Sequence, residues 1–235
     1  SIQINAYNFP VWGMLEKLST SLLAGVPSIV KPSPFGSYLT NAVFQDMIES
    51  GILPEGAVQL VCGEPGNILD YVQDGDSVLF TGSANTGRKL KSLPSIAGNA
   101  VRFNMEADSL NCSILGLDAK PGTPEFNLFI KEVQREMTTK AGQKCTAIRR
   151  IIVPENLIGD VQNALSKALD QTKIGNPLSR ETRMGSLVGK QQYDEVLRKV
   201  DILKTENELI YDGKHELVDA DYENGAFMSP KLFLN

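Results

Sequence analysis

The chain has 235 residues, 42% hydrophobic and 22% charged, the proportions of an ordinary globular protein. Its formal net charge is −5, and its lysines and arginines are scattered, which excludes an electrostatic footprint for nucleic acid or an anionic membrane. No run of about 18 uncharged apolar residues is present, and at roughly 100–200 residues per domain the length allows one large domain or two small ones.

Taken in chain order, Val26–Val30 is a compact apolar run, broken by Pro27 and closed by Lys31-Pro32. Leu39, Val43, Phe44, Met47 and Ile48 recur at helical spacing, which predicts a helix over Tyr38–Ser50 ending at Gly51. A strand follows at Ala57–Cys62 and a short helix at Asn67–Gln73. Ser77–Thr81 reads as a strand that passes through Gly82-Ser83 into a helix at Ala84–Ser92, and Ala100–Met105 is strand-like again. This alternation predicts an α/β protein: a Rossmann-like parallel sheet with helices on both faces.

A boundary is expected near Asp108–Asp118, followed by part of a second α/β domain. There Cys112–Leu115 is short and apolar, and Phe126, Phe129, Ile130 and Val133 give one face of a helix over Glu125–Lys140. A β-branched strand at Ala147–Val153 stops at Pro154. Helices are predicted at Glu155–Gln171 and Gln191–Lys204, and a terminal strand at Ala226–Leu234.

Three cysteines at positions 62, 112 and 145 are too few and too separated for a disulfide framework or a zinc cluster, so a reducing, cytoplasmic setting is expected. Cys62 and Cys112 adjoin apolar runs and read as buried core thiols. Cys145 differs. It has polar neighbours in Gly142-Gln143-Lys144-Cys145-Thr146, on a loop between a helix and a strand, where a thiolate nucleophile can be presented. The single histidine, His215, lies in the polar stretch Asp212–Glu216 and reads as a solvated loop residue; no two-histidine metal motif exists. Glu106 closes the strand Ala100–Met105, a position from which a carboxylate can serve as general base. Phe80-Thr81-Gly82-Ser83 leads a strand into a helix whose first N–H groups could hold a phosphate, with Gly82 allowing close approach.

Asn8-Phe9-Pro10, Lys17, Lys31-Pro32-Ser33, Phe80-Thr81-Gly82-Ser83, Glu106 and Gly142-Gln143-Lys144-Cys145, in that order, resemble the signature of the aldehyde dehydrogenase superfamily. The resemblance continues through Ile174-Gly175-Asn176-Pro177, Met184-Gly185 and Phe227-Met228-Ser229-Pro230. It implies a cofactor-binding domain over residues 1–110 and a catalytic domain over 111–235, each partial. It also implies that Cys145 attacks an aldehyde carbon, while Asn8 and the backbone N–H of Cys145 hold the oxyanion. Glu106 would activate water, Lys31 would bind a cofactor ribose and Ser83 a pyrophosphate oxygen. Lys17 matches the family's active-site lysine.

Two departures stand out. Pro34, after Ser33, takes the place of a ribose-binding Glu, and the loss of that carboxylate favours NADP over NAD. Glu106-Ala107-Asp108-Ser109 replaces Glu-Leu-Gly-Gly. With Tyr7 in place of Trp, these narrow the resemblance to the dehydrogenase half of bifunctional ring-opening enzymes of phenylacetate catabolism, in which a fused hydratase-like domain accompanies the dehydrogenase. A CoA-linked semialdehyde substrate and a homo-oligomer are implied. CoA-acylating and acyl-phosphate-reducing relatives, and a non-catalytic relative, are the alternatives. The chain begins with Ser1 and is shorter than a family module, so it reads as a piece of a longer protein, poorly soluble or inactive alone.

Overall fold

The computed structural model describes residues 1–235, and its contacts divide the chain into two units, Ser1–Asp108 and Ser109–Asn235. In the first unit, β1 (Ile2–Ile4) leads to α1 (Pro10–Leu23), β2 (Ser28–Lys31) to α2 (Ser37–Glu49), and β3 (Val58–Leu60) through a 3₁₀ turn to β4 (Ser77–Gly82). Helices α3 (Ala84–Lys91) and α4 (Pro94–Gly98) then precede β5 (Arg102–Ala107). All five strands pair in parallel, in the order β3-β2-β1-β4-β5. Strand order reverses between β1 and β4, so the crevice of this doubly wound sheet opens at their carboxyl ends.

Side chains alternate across the strands, and each face has its own core. On one face Ile2, Val78, Leu69, Val72, Ile96 and Val101 cluster, with Ile4, Ile29 and Phe103 packed against them. On the other, Met14 and Leu18 of α1 meet Val30 and Val58, with Val43, Phe44 and Met47 of α2 alongside. Helices therefore cover both faces, as the alternation predicts. Helix α1 escapes the periodicity reading because its buried face carries Lys17 and Ser21 beside Met14 and Leu18. Ser21 belongs to a polar spine: Gln3 Nε2 donates to the hydroxyls of Ser21 (3.1 Å) and Ser28 (3.2 Å).

The second unit contains β6 (Asn111–Ile114), α5 (Pro124–Thr138), β7 (Ile148–Ile152), α6 (Ile158–Asp170), β8 (Ile174–Gly175), α7 (Lys190–Glu206), β9 (Glu208–Asp212), β10 (Leu217–Val218) and β11 (Lys231–Leu234). Strands β6 and β7 pair in parallel, as do β8 and β10, whereas β9 and β11 are antiparallel. Helices α5 and α6 bury Phe126, Ile130, Val133, Val161, Leu165 and Leu169 together as the main core.

Several expectations are corrected here. The terminal strand is confined to Lys231–Leu234 because Pro230 has no N–H to give a ladder. The helix at Asn67–Gln73 is only a 3₁₀ turn, Ile68–Tyr71. The strand expected from Ala100 starts at Arg102, since Ala100 is left-handed, and it runs on to Ala107. Cys62 and Cys112 are exposed, not buried. Strand β3 ends at Leu60, before Cys62, and Cys112 shares the open face of β6 with Ile114. His215 is no solvated loop residue: one ring nitrogen lies 3.1 Å from Ser229 Oγ and the other 3.0 Å from the Leu169 carbonyl.

A Cβ added at Gly175 would lie 2.2 Å from the carbonyl oxygen of Val218, so only glycine admits the β8–β10 pairing. Gly175→Ala is expected to lower stability by about 2 kcal/mol or more, read from denaturant unfolding.

Candidate active site

The first unit lines up its chemistry along one edge. Asn5 N–H donates to the Lys31 carbonyl (3.0 Å), which carries the β1–β2 ladder one residue past β1. The chain then turns through Tyr7, Asn8 and Phe9 into α1. The Tyr7 ring meets Phe35 edge-on (6.3 Å, 80°), and Phe9 meets Trp12 likewise (5.4 Å, 76°). A Cβ at Gly36 would come within 2.9 Å of Pro10, so the turn Pro34–Gly36 packs directly on the start of α1. Half-buried Asn8 is thus held between two anchored aromatic residues, beside the loop that carries Ser33 and Pro34.

Lys31 ends β2 and is 8% exposed, yet its ammonium makes no hydrogen bond or ion pair within the protein. Burial holds its pKa below the ordinary lysine value, against the opposing pull of Glu64 and Cys62. A cation on a largely buried side chain at a strand's carboxyl end suits a hydroxyl or anionic ligand. Lys17, 7% exposed on α1, is instead satisfied by Glu16 Oε1 (2.9 Å) and the Gly13 carbonyl (3.4 Å).

Gly82 ends β4 with little room beside it: a Cβ there would meet the Phe80 ring at 2.6 Å. Gly87, which sequence reasoning passes over, lets α3 sit close on β4 and β5; a Cβ would meet Met105 Sδ at 2.5 Å. Ser83 caps α3 by accepting from the Thr86 N–H (3.3 Å). The Ala84 N–H is taken by Asp108 Oδ1 (3.2 Å). Asp108 is left-handed (φ +54°), a conformation in which the family's glycine is at ease, and its carboxylate caps the helix start expected to receive phosphate. Glu106 lies in β5, opposite Thr81 of β4, and is exposed.

In the second unit, the loop that carries Cys145 is built by an uncommon backbone. Lys140, Ala141 and Gly142 are all left-handed (φ +54°, +52° and +72°), which turns the chain sharply out of α5. Such a run persists only when surrounding contacts hold it. Gln143 supplies several: its Nε2 donates to the carbonyls of Lys140 (2.9 Å) and Ser186 (3.4 Å), and its Oε1 accepts from the Val188 N–H (2.9 Å). Arg149 donates to the Gly142 carbonyl (2.9 Å), and Lys144 pairs with Glu136 (2.7 Å). Asn111 Nδ2 donates to the carbonyls of Cys145 and Ala147. Ala141 packs against the buried trio Ile174, Met184 and Phe227. These three belong to the downstream motifs, which therefore back the loop. Cys145 itself is exposed. The sequence displays Gln143 and Asn111 without disclosing these roles, because their partners lie 34–45 residues away along the chain.

A doubly wound sheet with polar groups gathered at its carboxyl edge, joined in one chain to an exposed cysteine on a braced loop, defines a dinucleotide-type α/β enzyme scaffold. The family model for the aldehyde dehydrogenase family matches residues 1–235, and the chain belongs to that family. It is 46% identical, over 99% of its length and 45% of the relative's, to a 3,4-dehydroadipyl-CoA semialdehyde dehydrogenase of Aromatoleum evansii. Among solved structures it superposes on an apo betaine aldehyde dehydrogenase variant of Staphylococcus aureus with a BME-modified cysteine. The TM-score is 0.87 and the identity 26%, covering 100% of this chain and 46% of that one. The same enzyme in complex with NAD+ gives a TM-score of 0.86 at 25% identity, covering 99% and 45%. The chain spans about half the length of the curated relatives it matches.

The lowered pKa of Lys31 has a stability consequence. Its charged form is disfavoured in the fold, so the unfolded chain binds more protons, and stability rises as pH climbs toward the ordinary lysine value of 10.5. Lys31→Met is expected to raise the thermal midpoint at neutral pH and to flatten that rise, measured by thermal unfolding between pH 7 and 10.

Proposed function

We propose that the protein oxidises an aldehyde to a carboxylic acid with NAD(P), through a covalent cysteine adduct. The observation that carries this is the shared edge: Asn8, Lys31, Ser33, Gly82, Ser83 and Glu106 all follow or end strands of one parallel sheet. The exposed thiol on its braced loop supplies the nucleophile. The reactive cysteine and the NAD+ complexes of the betaine aldehyde dehydrogenase support the same reading.

In this reading the Cys145 thiolate adds to the aldehyde carbon, forming a C–S bond. The side-chain amide of Asn8 and the backbone N–H of Cys145 stabilise the negative oxygen. The nicotinamide, when bound, supplies the hydride acceptor, which leaves a thioester on Cys145. Glu106 takes a proton from water, whose oxygen adds to the acyl carbon; the C–S bond breaks and the acid departs. Lys17, on the helix that follows Asn8, belongs to the same constellation. Lys31 would hold a cofactor ribose hydroxyl and Ser83 a pyrophosphate oxygen, with Ser33 and Pro34 beside the adenosine. Pro34 presents no carboxylate to repel a 2′-phosphate, so NADP is the preferred cofactor.

The name of the Aromatoleum relative favours a CoA-linked semialdehyde as substrate. Within that assignment we place the enzyme in aromatic-acid breakdown of the phenylacetate type, in the cytoplasm and as a homo-oligomer. A fused hydratase-like domain is part of the same proposal. The rival, acyl transfer to CoA or phosphate, needs no activated water, and Glu106 favours hydrolysis over it.

In the complete gene product, aldehyde-dependent NADPH formation is expected together with free acid release when no CoA is added. Cys145→Ala is expected to abolish both. Glu106→Gln is expected to lower steady-state turnover by about 10²-fold or more while leaving a single-turnover burst of NADPH, seen by stopped-flow absorbance. Acid release that depends on added CoA would transfer the assignment to the rival.

Asp108 adds a separate check. Its carboxylate stands at the helix start that Ser83 would offer to the pyrophosphate. Asp108→Gly removes that negative charge and frees the Ala84 N–H, so NADP is expected to bind about two- to fivefold more tightly, measured by calorimetry.

A further inference from the structure

The carboxyl edge also holds three polar atoms that no residue satisfies. Asn5 is 4% exposed, and neither its Oδ1 nor its Nδ2 has a hydrogen-bond partner within the protein. The buried hydroxyl of Thr81 is likewise without one. Burying such groups unpaired is costly, so their presence in a packed edge calls for a ligand.

Register places these groups side by side. Ile4 pairs with Phe80 and Thr81 with Glu106, and the ladder continues through Asn5. Asn5, Thr81 and Glu106 therefore form one row across β1, β4 and β5. Ile2 and Val78 point into the core on the opposite face, so the alternation of side chains sends all three members of the row to the face that α1 covers. The row opens at the end where Glu106 is exposed.

We infer that Asn5 and Thr81 hold a buried water beside Glu106, and that Asn5 is a positioning residue for the hydrolytic step. An amide offers both a donor and an acceptor, and a hydroxyl offers the same, which meets the two to four polar partners that a buried water needs. That water hydrogen-bonds the Glu106 carboxylate and aims it at the attacking water. In the step itself, Glu106 accepts a proton, the hydroxyl oxygen joins the acyl carbon, and the C–S bond to Cys145 breaks. This inference rests on the proposed thioester chemistry. Asn5 acts on hydrolysis alone, because it works only through the water on Glu106.

The test uses the complete gene product with its aldehyde and NADP. Asn5→Leu keeps the branched shape at a larger volume and removes both polar atoms. It is expected to fold with a thermal midpoint close to that of the wild type, since hydrocarbon takes the place of the amide and of the water it holds. Steady-state turnover is expected to fall about tenfold, with a burst of NADPH appearing before it. Hydroxylamine attacks a thioester without a general base, displacing the thiol to give a hydroxamic acid; added once the burst is complete, it is expected to release hydroxamic acid in an amount equal to the burst. Asn5→Thr, which retains a donor and an acceptor, is expected to keep most of the hydrolytic rate.

Undiminished turnover in Asn5→Leu overturns the inference while leaving the aldehyde oxidation standing. A slowed burst with weakened NADP binding also overturns it, because the pair would then read the cofactor's carboxamide rather than hold a water. If the wild type forms no NADPH from any aldehyde, the functional reading falls first and this inference falls with it.

Discussion

The parallel ladder of β1, β2, β4 and β5 is the constraint on which the first unit depends. Because every strand runs the same way, every strand exit lies at the same edge. Residues as far apart in sequence as Asn8, Lys31, Ser83 and Glu106 are brought to that edge by backbone hydrogen bonding. Hydrophobic packing then fixes the sheet from both sides: Met14 and Leu18 on one face, Ile2 and Val78 on the other. The edge itself stays polar and only partly satisfied, which is where a ligand finds unmet hydrogen-bonding capacity.

The second unit solves a different problem with a different device. A loop that carries an exposed cysteine still has to stay in place. Three successive left-handed residues lift the chain away from α5, a conformation that is unfavourable by itself for Lys140 and Ala141. The compensation is distributed: Gln143 ties the loop to the later stretch at Ser186 and Val188, Asn111 holds its far side, and a small apolar cluster seats Ala141. Motifs far downstream of Cys145 thereby contribute to its presentation without touching the thiol.

Charge placement shows where this chain departs from the pattern it otherwise follows. Asp108 occupies a left-handed position suited to glycine and turns its carboxylate onto the first turn of α3. The same helix start serves as an anion site in related folds. The Ser83 hydroxyl is engaged with Thr86, and the Lys31 side chain is largely buried at the end of β2. In the proposed reading, loss of a carboxylate at Pro34 and gain of one at Asp108 redistribute charge along the cofactor path.

Much of this protein was legible in its residues. Apolar periodicity located β4, α2, α5 and α6 closely, because each buries a continuous stripe. Ordered motifs pointed to the aldehyde dehydrogenase family, because a reactive residue and the turn that carries it are adjacent in sequence. Helix α1 was not legible, since Lys17 and Ser21 interrupt its apolar stripe, and neither were the short strands β8 and β10, which exist only through each other. The exposure of Cys62 and Cys112, the two anchors of His215 and the unmet polar atoms of Asn5 and Thr81 were decided by tertiary structure alone. The reason is physical: sequence records which groups a residue carries, whereas burial and hydrogen-bond pairing depend on partners that only folding brings near.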